Sequence, residues 1–455
     1  MMLDNNLTKT TVMGDISFEE VHINLTNFRE QLALAESLSR TNFNTTPNTR
    51  RRVVENVRSK FGSFDEDSGN FVPPRQLLQI LVRMGSFTST PRILNEDILD
   101  HDVNHLPKNI SRTELLQHCQ RQPKIQPMVK RMFRKARPSS DFNCGVKVKK
   151  LNAVSRACSE YTSGPHNIRV LQWNILSQAL GQMNDNFAKC PDEALEWNSR
   201  RYLIIEELVE YCPDIICLQE VDHFNFLSHI LETQGYTGLF FPKPDSPCIY
   251  LDGNNGPDGC AIFYRKDKFE LLEAQTKILE IWKVQSNQVV LLTILKMKET
   301  GQKICVTTTH LKAKKGALLS TLRNEQGKDL LQFVKANSQD LPLILAGDFN
   351  AEPTEPIYST VLDNPLKLGS AYADCDIDPT ISSAEREPSY TTWKIRGEGE
   401  VCHTIDYVFY SKNKLELEAV LDMPTGEEIG ENRVPSFSYP SDHFSLVCDF
   451  KIGHS

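Results

Sequence analysis

Val289-Val290-Leu291-Leu292-Thr293-Ile294-Leu295 and Ile304-Cys305-Val306-Thr307-Thr308-Thr309-His310 are two apolar, β-branched runs separated by only eight residues. Runs of this length and composition read as strands. A connection of eight residues suits an antiparallel hairpin, because a parallel crossover needs roughly a dozen residues or more. The second run ends on a histidine, at the place where a buried strand reaches the rim of its sheet.

Working outward, the same texture recurs from about Ile168. Strand-like runs are expected at Ile168–Trp173, Asp214–Val221, Cys260–Tyr264, Leu341–Ala346, Ile405–Tyr410 and Phe444–Phe450. Helical patterns are expected at Glu193–Tyr211, with Leu195, Tyr202, Ile205, Leu208 and Val209 near one face, and at Ala317–Ala336. Strands outnumber helices, and several neighbours are joined too closely for crossovers. The expected class is therefore α/β, with two packed mixed sheets flanked by helices rather than one doubly wound sheet. No dinucleotide-binding GxGxxG is present. The Gly253–Gly259 stretch reads as a turn between strands.

The chain has 455 residues and a net charge of −8, unevenly shared. Residues 1–165 hold 24 Lys+Arg against 17 Asp+Glu, and residues 166–455 hold 27 against 42. An acidic balance disfavours tracking of long nucleic acids, which rewards a basic face through counterion release. The first 165 residues are rich in Asn, Thr and Ser and show short periodicity, with one candidate helix at Arg75–Met84. They are expected to be a poorly structured region and linker. The basic run Lys130–Arg137 reads as a solvated linker, or alternatively as a targeting or membrane-surface element. No apolar run reaches the ~18–20 residues that span a bilayer. Asp4, Asp15, Glu19 and Glu20 argue against a transit peptide. Twelve cysteines without a CxxC pair suggest reduced thiols, and neither a zinc site nor a disulfide framework.

Chemistry-bearing side chains collect at strand ends. Asn174 and Glu220 end the first two strands, His310 ends the run quoted above, and Asp348 and Asn350 follow Leu341–Ala346. Asp406 opens a later strand, and Asp442-His443 precedes the last. Singly, each has an ordinary reading: a salt-bridged acid, a turn residue, a hydrogen-bonded core histidine. Together, oxygen donors with two histidines suit a hard cation beside a phosphate.

Trp173-Asn174, Gln219-Glu220, Thr309-His310-Leu311, Gly347-Asp348-Phe349-Asn350 and Ser441-Asp442-His443 occur in an order that resembles the endonuclease/exonuclease/phosphatase superfamily. Its fold is a four-layer α/β sandwich. Further stretches resemble its deadenylase-related branch: Phe241-Pro242-Lys243-Pro244, His310-Leu311-Lys312-Ala313, Tyr390–Arg396 and Pro435–His443. The resemblance covers roughly 168–450 and implies a catalytic domain at 166–455.

It also implies roles. Glu220 would hold Mg²⁺, and Asn174 would order metal and phosphate. Asp348 would orient or deprotonate the attacking water, while Asn350 and His310 would donate to phosphate oxygens. His443 would contact the phosphate, its ring held by Asp406 or Asp442. The implied substrate is NADP⁺ or NADPH, losing its 2′-phosphate, with Lys243, Pro244, Asn287, Lys312, Lys314 and Arg396 on the dinucleotide. Two positions depart from the pattern: Lys314 replaces an expected arginine, which removes a planar fork, and Asp245 replaces an expected aromatic. The alternatives are a 3′-exonuclease acting on poly(A), for which RNA would be the substrate, and an inactive protein-binding scaffold. The cytoplasm is the expected compartment, with mitochondria as the second choice, and a monomer is expected.

Overall fold

The structure, a computed structural model, describes residues 63–64, 71–72, 106–122, 126–136 and 164–453, apart from 252–253, 377 and 379. Two compact units separate, Met1–Met84 with Lys315–Leu318, and Gly85–Lys314 with Leu319–Ser455. In the first, Ser63–Phe64 pairs antiparallel with Phe71–Val72. The expected helix Arg75–Met84 lies outside the described residues.

The second unit opens with helix α1 (Arg112–Gln120) and strand β1 (Phe133–Lys135). Next come β2 (Asn167–Asn174), α2 (Trp197–Glu210), β3 (Ile215–Val221), α3 (Phe224–Thr233), β4 (Tyr236–Pro242) and β5 (Gly259–Arg265). β6 (Phe269–Ile281), β7 (Val284–Met297), β8 (Lys303–His310), α4 (Ala317–Asn337, in this unit from Leu319) and β9 (Leu343–Asp348) follow. The chain continues through α5 (Pro356–Leu362), β10 (Leu368–Ser370), α6 (Ala371–Cys375) and the hairpin β11 (Thr392–Arg396) and β12 (Gly399–His403). It closes with β13 (Asp406–Ser411), β14 (Leu415–Leu421) and β15 (Leu446–Ile452).

One sheet has the order β1-β14-β15-β2-β3-β5-β4 and the other β10-β13-β9-β8-β7-β6. β7 and β8 form the antiparallel hairpin that their short connection requires. Each sheet has one parallel pair, β2 with β3 and β8 with β9, bridged by α2 and α4. The sheets meet through Ile168, Val170, Ile215 and Cys217 on one side and Val306, Ile344, Ala346 and Val408 on the other. The opposite faces are covered by helices. Leu171, Trp173, Ile216 and Leu218 pack under α2 and α3, while Cys305, Leu343 and Leu345 pack under α4 and α5. The architecture is therefore the expected four-layer α/β sandwich. Both faces of the central strands are dry, which is why they read as continuous apolar runs rather than alternating ones.

Three expectations change. The helix expected at Glu193–Tyr211 is interrupted at Glu196, whose extended backbone separates Asp192–Leu195 from α2. Residues before 166, expected to be poorly structured, supply packed elements to this unit. β1 pairs with β14 as an edge strand, and Leu115 and Cys119 of α1 are buried. The basic run is thus not a freely solvated linker at Arg131 and Phe133, because Phe133 is buried and Arg131 is paired with Glu207, while Lys130 stays exposed. Finally, nine described cysteines are free thiols, but Cys212 is disulfide-bonded. Among the described residues no helix is long and apolar enough to cross a membrane.

Candidate active site

Side chains alternate faces along a strand, so residues two apart share a face. Counting from the inter-sheet residues, Val170 leads to Gln172 and Asn174, Val306 to Thr308 and His310, and Ile344 to Ala346 and Asp348. Val408 leads back to Asp406. Four site residues thereby reach the rim between the sheets by parity alone. Glu220 does not, because Ile216 and Leu218 face the helices. A register shift between Leu218 and Val221 and a positive φ of 56° at Glu220 turn its carboxylate into the crevice. Bulges at functional rims commonly re-aim a side chain in this way.

The result is a continuous network. Asn174 Nδ2 donates to Glu220 Oε1 at 3.0 Å and to Asp348 Oδ2 at 2.9 Å. Ser177 N–H donates to Glu220 Oε2 at 2.9 Å. The Asn350 backbone N–H donates to Asp348 Oδ1 at 2.8 Å, and its side-chain amide lies 3.0 Å from His310 Nε2. His310 Nε2 is 3.5 Å and His443 Nε2 3.8 Å from Asp348 Oδ2. His310 and Asp348 are register partners on β8 and β9. This closeness needs glycine at position 347, where a Cβ would come within 2.3 Å of the Thr309 carbonyl oxygen. Asp406, not Asp442, orients the second histidine, with Oδ2 2.8 Å from His443 Nδ1. Asp442 instead pairs with Lys394.

Cations flank this centre. Lys243 is buried, paired with Asp258 at 2.7 Å and 3.4 Å from His310 Nδ1. Asn287 exchanges hydrogen bonds with the Asp245 backbone, accepting at 2.8 Å and donating at 2.5 Å, which fixes the loop carrying Lys243 and the half-buried Pro244. The Lys312 and Lys314 carbonyls accept from Arg323, which Glu355 holds. Arg396 binds Asp185 at 2.8 Å and lies 3.9 Å from Asp442.

Residues 171–443 match the Endonuclease/Exonuclease/phosphatase family. The Nocturnin of Drosophila melanogaster is 55% identical over 84% of this chain and 62% of its own length. That of Xenopus laevis is 43% identical over 80% of this chain and 88% of its own. The chain belongs to the nocturnin branch of this family. A solved structure, the human Nocturnin catalytic domain with bound sulfate anion, is 42% identical with a TM-score of 0.52, covering 64% of this chain and 95% of that one. Human 2′,5′-phosphodiesterase 12 is 30% identical over 62% of this chain and 51% of its own length. The chain spans less than two thirds of the Drosophila relative.

The electrostatics of the nocturnin-type centre are polarised. Burial, countered by Lys243, pushes the Glu220 carboxyl up to about 7. Burial and then Asp406 push Asp348 up to about 6. Burial works against a charged His443, yet Asp406, Asp442 and Asp348 outweigh it and raise its pKa to about 10. Burial and Lys243 hold His310 well below the ordinary range, so its ring is neutral. Buried carboxylates that resist ionisation are short of positive charge, and a divalent cation would supply it. Asp348, Asp406 and His443 offer ligand atoms within 4.8 Å of one another. In that group His443 Nδ1 is already engaged by Asp406 at 2.8 Å, and the oxygen donors of Glu220 suit a hard cation better than an imidazole.

Several supporting side chains went unassigned at the sequence level. Thr391 donates to Asp406 at 2.6 Å. Gln172 and Gln219 exchange hydrogen bonds at 2.9 and 2.7 Å, and Gln219 also donates to Thr308 at 2.9 Å, forming a polar layer beneath the site. Gln172, Gln219 and Thr308 lie two residues before site residues or share their face, and polar residues on a strand face otherwise apolar were the available signal.

Proposed function

We propose that this chain is a Mg²⁺-dependent phosphatase that removes the 2′-phosphate of NADP⁺ and NADPH, giving NAD⁺ and NADH. The observation that carries the reading is the convergence around Asp348 of Glu220, joined to it through the Asn174 amide, on one side and of His310, Asn350 and His443 on the other. Phosphoryl transfer to water is catalysed mainly by positioning and by stabilising charge on oxygen. Glu220 would hold Mg²⁺, which when bound supplies charge neutralisation at the phosphate and the leaving oxygen. Asp348 orients the attacking water and accepts its proton. Asn350 and the imidazolium of His443 donate to the phosphate oxygens, and His310 does so through whichever ring nitrogen carries its proton. A new P–O bond forms from water, the bond to the 2′-oxygen breaks, and that oxygen takes up a proton from solvent, matching the one that the water passed to Asp348.

The substrate class rests on the flanking cations. Lys312 is half-buried, and burial together with Lys314 and Lys243 lowers its pKa; such a cluster favours an anionic partner. Across the site, Arg396 can offer a bidentate fork. Two separated cation groups beside one hydrolytic centre suit a molecule with bridging phosphates as well as a terminal one. One relative is named 2′,5′-phosphodiesterase 12, after a linkage that includes a 2′-ester. The test is to incubate the purified chain and Mg²⁺ separately with NADPH, NADP⁺ and oligoadenylate. Phosphate release from the dinucleotides is expected. Shortening of oligoadenylate without that release overturns the assignment in favour of a deadenylase.

A further inference from the structure

Gln126 and Arg131, outside the family-matched residues 171–443, touch the loop that carries His443 at both of its ends. At the start, Gln126 N–H donates to the Phe437 carbonyl at 3.1 Å, and Ser438 Oγ donates to Gln126 Oε1 at 3.3 Å. At the far end, Arg131 Nη1 donates to the Ser445 carbonyl at 2.9 Å and Nη2 to Ser445 Oγ at 2.5 Å. The same Nη2 meets Glu207 Oε1 at 2.5 Å, and Ser445 Oγ donates to that oxygen too. Between the anchors, Met128, Val129 and Arg131 line one small cavity with Trp173, Tyr439 and His443. Beyond them, β1 fastens the segment to β14. The Arg131 side chain is only 5% exposed.

We propose that residues 126–136 are a positioning strap for His443, with Arg131 as the positioning residue. The proposal rests on the assignment of His443 to the phosphate. His443 sits on a loop rather than within a strand, and its imidazole is held by one close hydrogen bond, Nδ1 to Asp406 at 2.8 Å, with Asp348 and Asp442 each 3.8 Å from Nε2. Its backbone carbonyl accepts from Trp173 Nε1 at 2.8 Å. A bridge to Thr392 holds His443 itself, and the course of the loop after it is fixed by Phe444 N–H on the Thr391 carbonyl, by Ser445 on Arg131 and Glu207, and by Leu446 entering β15 against Gln172. A buried guanidinium has a fixed fork of donors, so it sets the position of Ser445 more tightly than a lysine can. Misplacement of a catalytic donor by about 1 Å can cost on the order of 100-fold in rate.

The experiment is a double-mutant cycle in the full chain with Mg²⁺, using Arg131→Met, His443→Ala and the pair, with Arg131→Lys and Ser445→Ala beside them. Arg131→Met is expected to lower kcat about 10-fold with KM within about twofold. In the His443→Ala background it should lower kcat no further, because the group it positions is gone. Arg131→Lys should recover part of the loss, and Ser445→Ala, which keeps the guanidinium and should fold, about a threefold loss with the same dependence on His443. Wild-type kcat in Arg131→Met, or the same fold-loss with and without His443, overturns the proposal. If Arg131→Met does not fold, the Ser445→Ala cycle decides by the same criterion. A wild-type chain inert on NADPH but active on oligoadenylate overturns the substrate assignment alone, and the cycle is then read on oligoadenylate.

Discussion

Replacing Glu220 by Gln should stabilise the metal-free protein at pH 8 while abolishing its activity. The folded chain raises the Glu220 pKa from 4.5 to about 7. A group raised in this way favours folding fully below pH 4.5 and loses that contribution as pH rises through 7. At about 1.4 kcal/mol per unit, the ionised carboxylate costs the fold roughly 3 kcal/mol at pH 8. Glutamine keeps the shape and one acceptor oxygen. Its amide nitrogen, however, meets either Asn174 Nδ2 or Ser177 N–H, both of which donate in the wild type. That mismatch costs about 1–2 kcal/mol. The difference leaves the variant about 1–2 kcal/mol more stable, or about 1–3 °C in Tm for a domain of this size.

Scanning fluorimetry of metal-free protein at pH 8 and pH 5 measures this directly. At pH 5 the wild-type carboxyl is protonated, so the advantage of Gln should vanish or reverse. Adding Mg²⁺ at pH 8 should raise the wild-type Tm and leave the variant almost unmoved, since binding to the native state alone stabilises it. Turnover of NADPH should fall at least ~100-fold. Equal Tm shifts at both pH values would refute the electrostatic account, and activity within about tenfold of wild type would remove Glu220 from the metal site.

Arg396→Ala should raise KM for NADPH about 10- to 100-fold and leave kcat within about threefold; a loss confined to kcat would contradict a binding role. Thr391→Val removes the hydroxyl that donates to Asp406 and should lower kcat about tenfold. Asp406 heads the groups that keep His443 charged up to about pH 10, and Thr391 shares its Oδ2 with His443, so the alkaline fall in rate should also move to higher pH in that variant, and an unmoved limb counts against the Asp406–His443 coupling. Gly347→Ala must separate β8 from β9, since its methyl would meet the Thr309 carbonyl. It should cost about 1–3 kcal/mol in urea unfolding and more than ~100-fold in kcat, and near-normal turnover would show that the His310–Asp348 spacing is not critical.

How far the sequence could go depended on whether partners were local. Asn174, His310, Asp348 and Asp406 lie on strands whose inter-sheet face can be counted in steps of two from Val170, Val306, Ile344 and Val408. Their convergence therefore follows from period-two geometry once two packed sheets are accepted. Glu220 breaks the count, and the register shift and positive φ that correct it leave no clear mark in Gln219-Glu220-Val221. Asp406 and Asp442 could not be ranked because the choice is made by a loop. The chain brings Asp406 to Nδ1 across 37 positions and gives the adjacent Asp442 to Lys394. The basic run shows the same limit more sharply. Lys130–Arg137 reads as solvated because its own neighbourhood supplies no carboxylates, yet Arg131 finds Glu207 and Ser445 at separations of 76 and 314 residues. Burial of a charge depends on distant partners that repay its desolvation, so a local charge count can identify a cationic segment without revealing whether water or a folded core surrounds it.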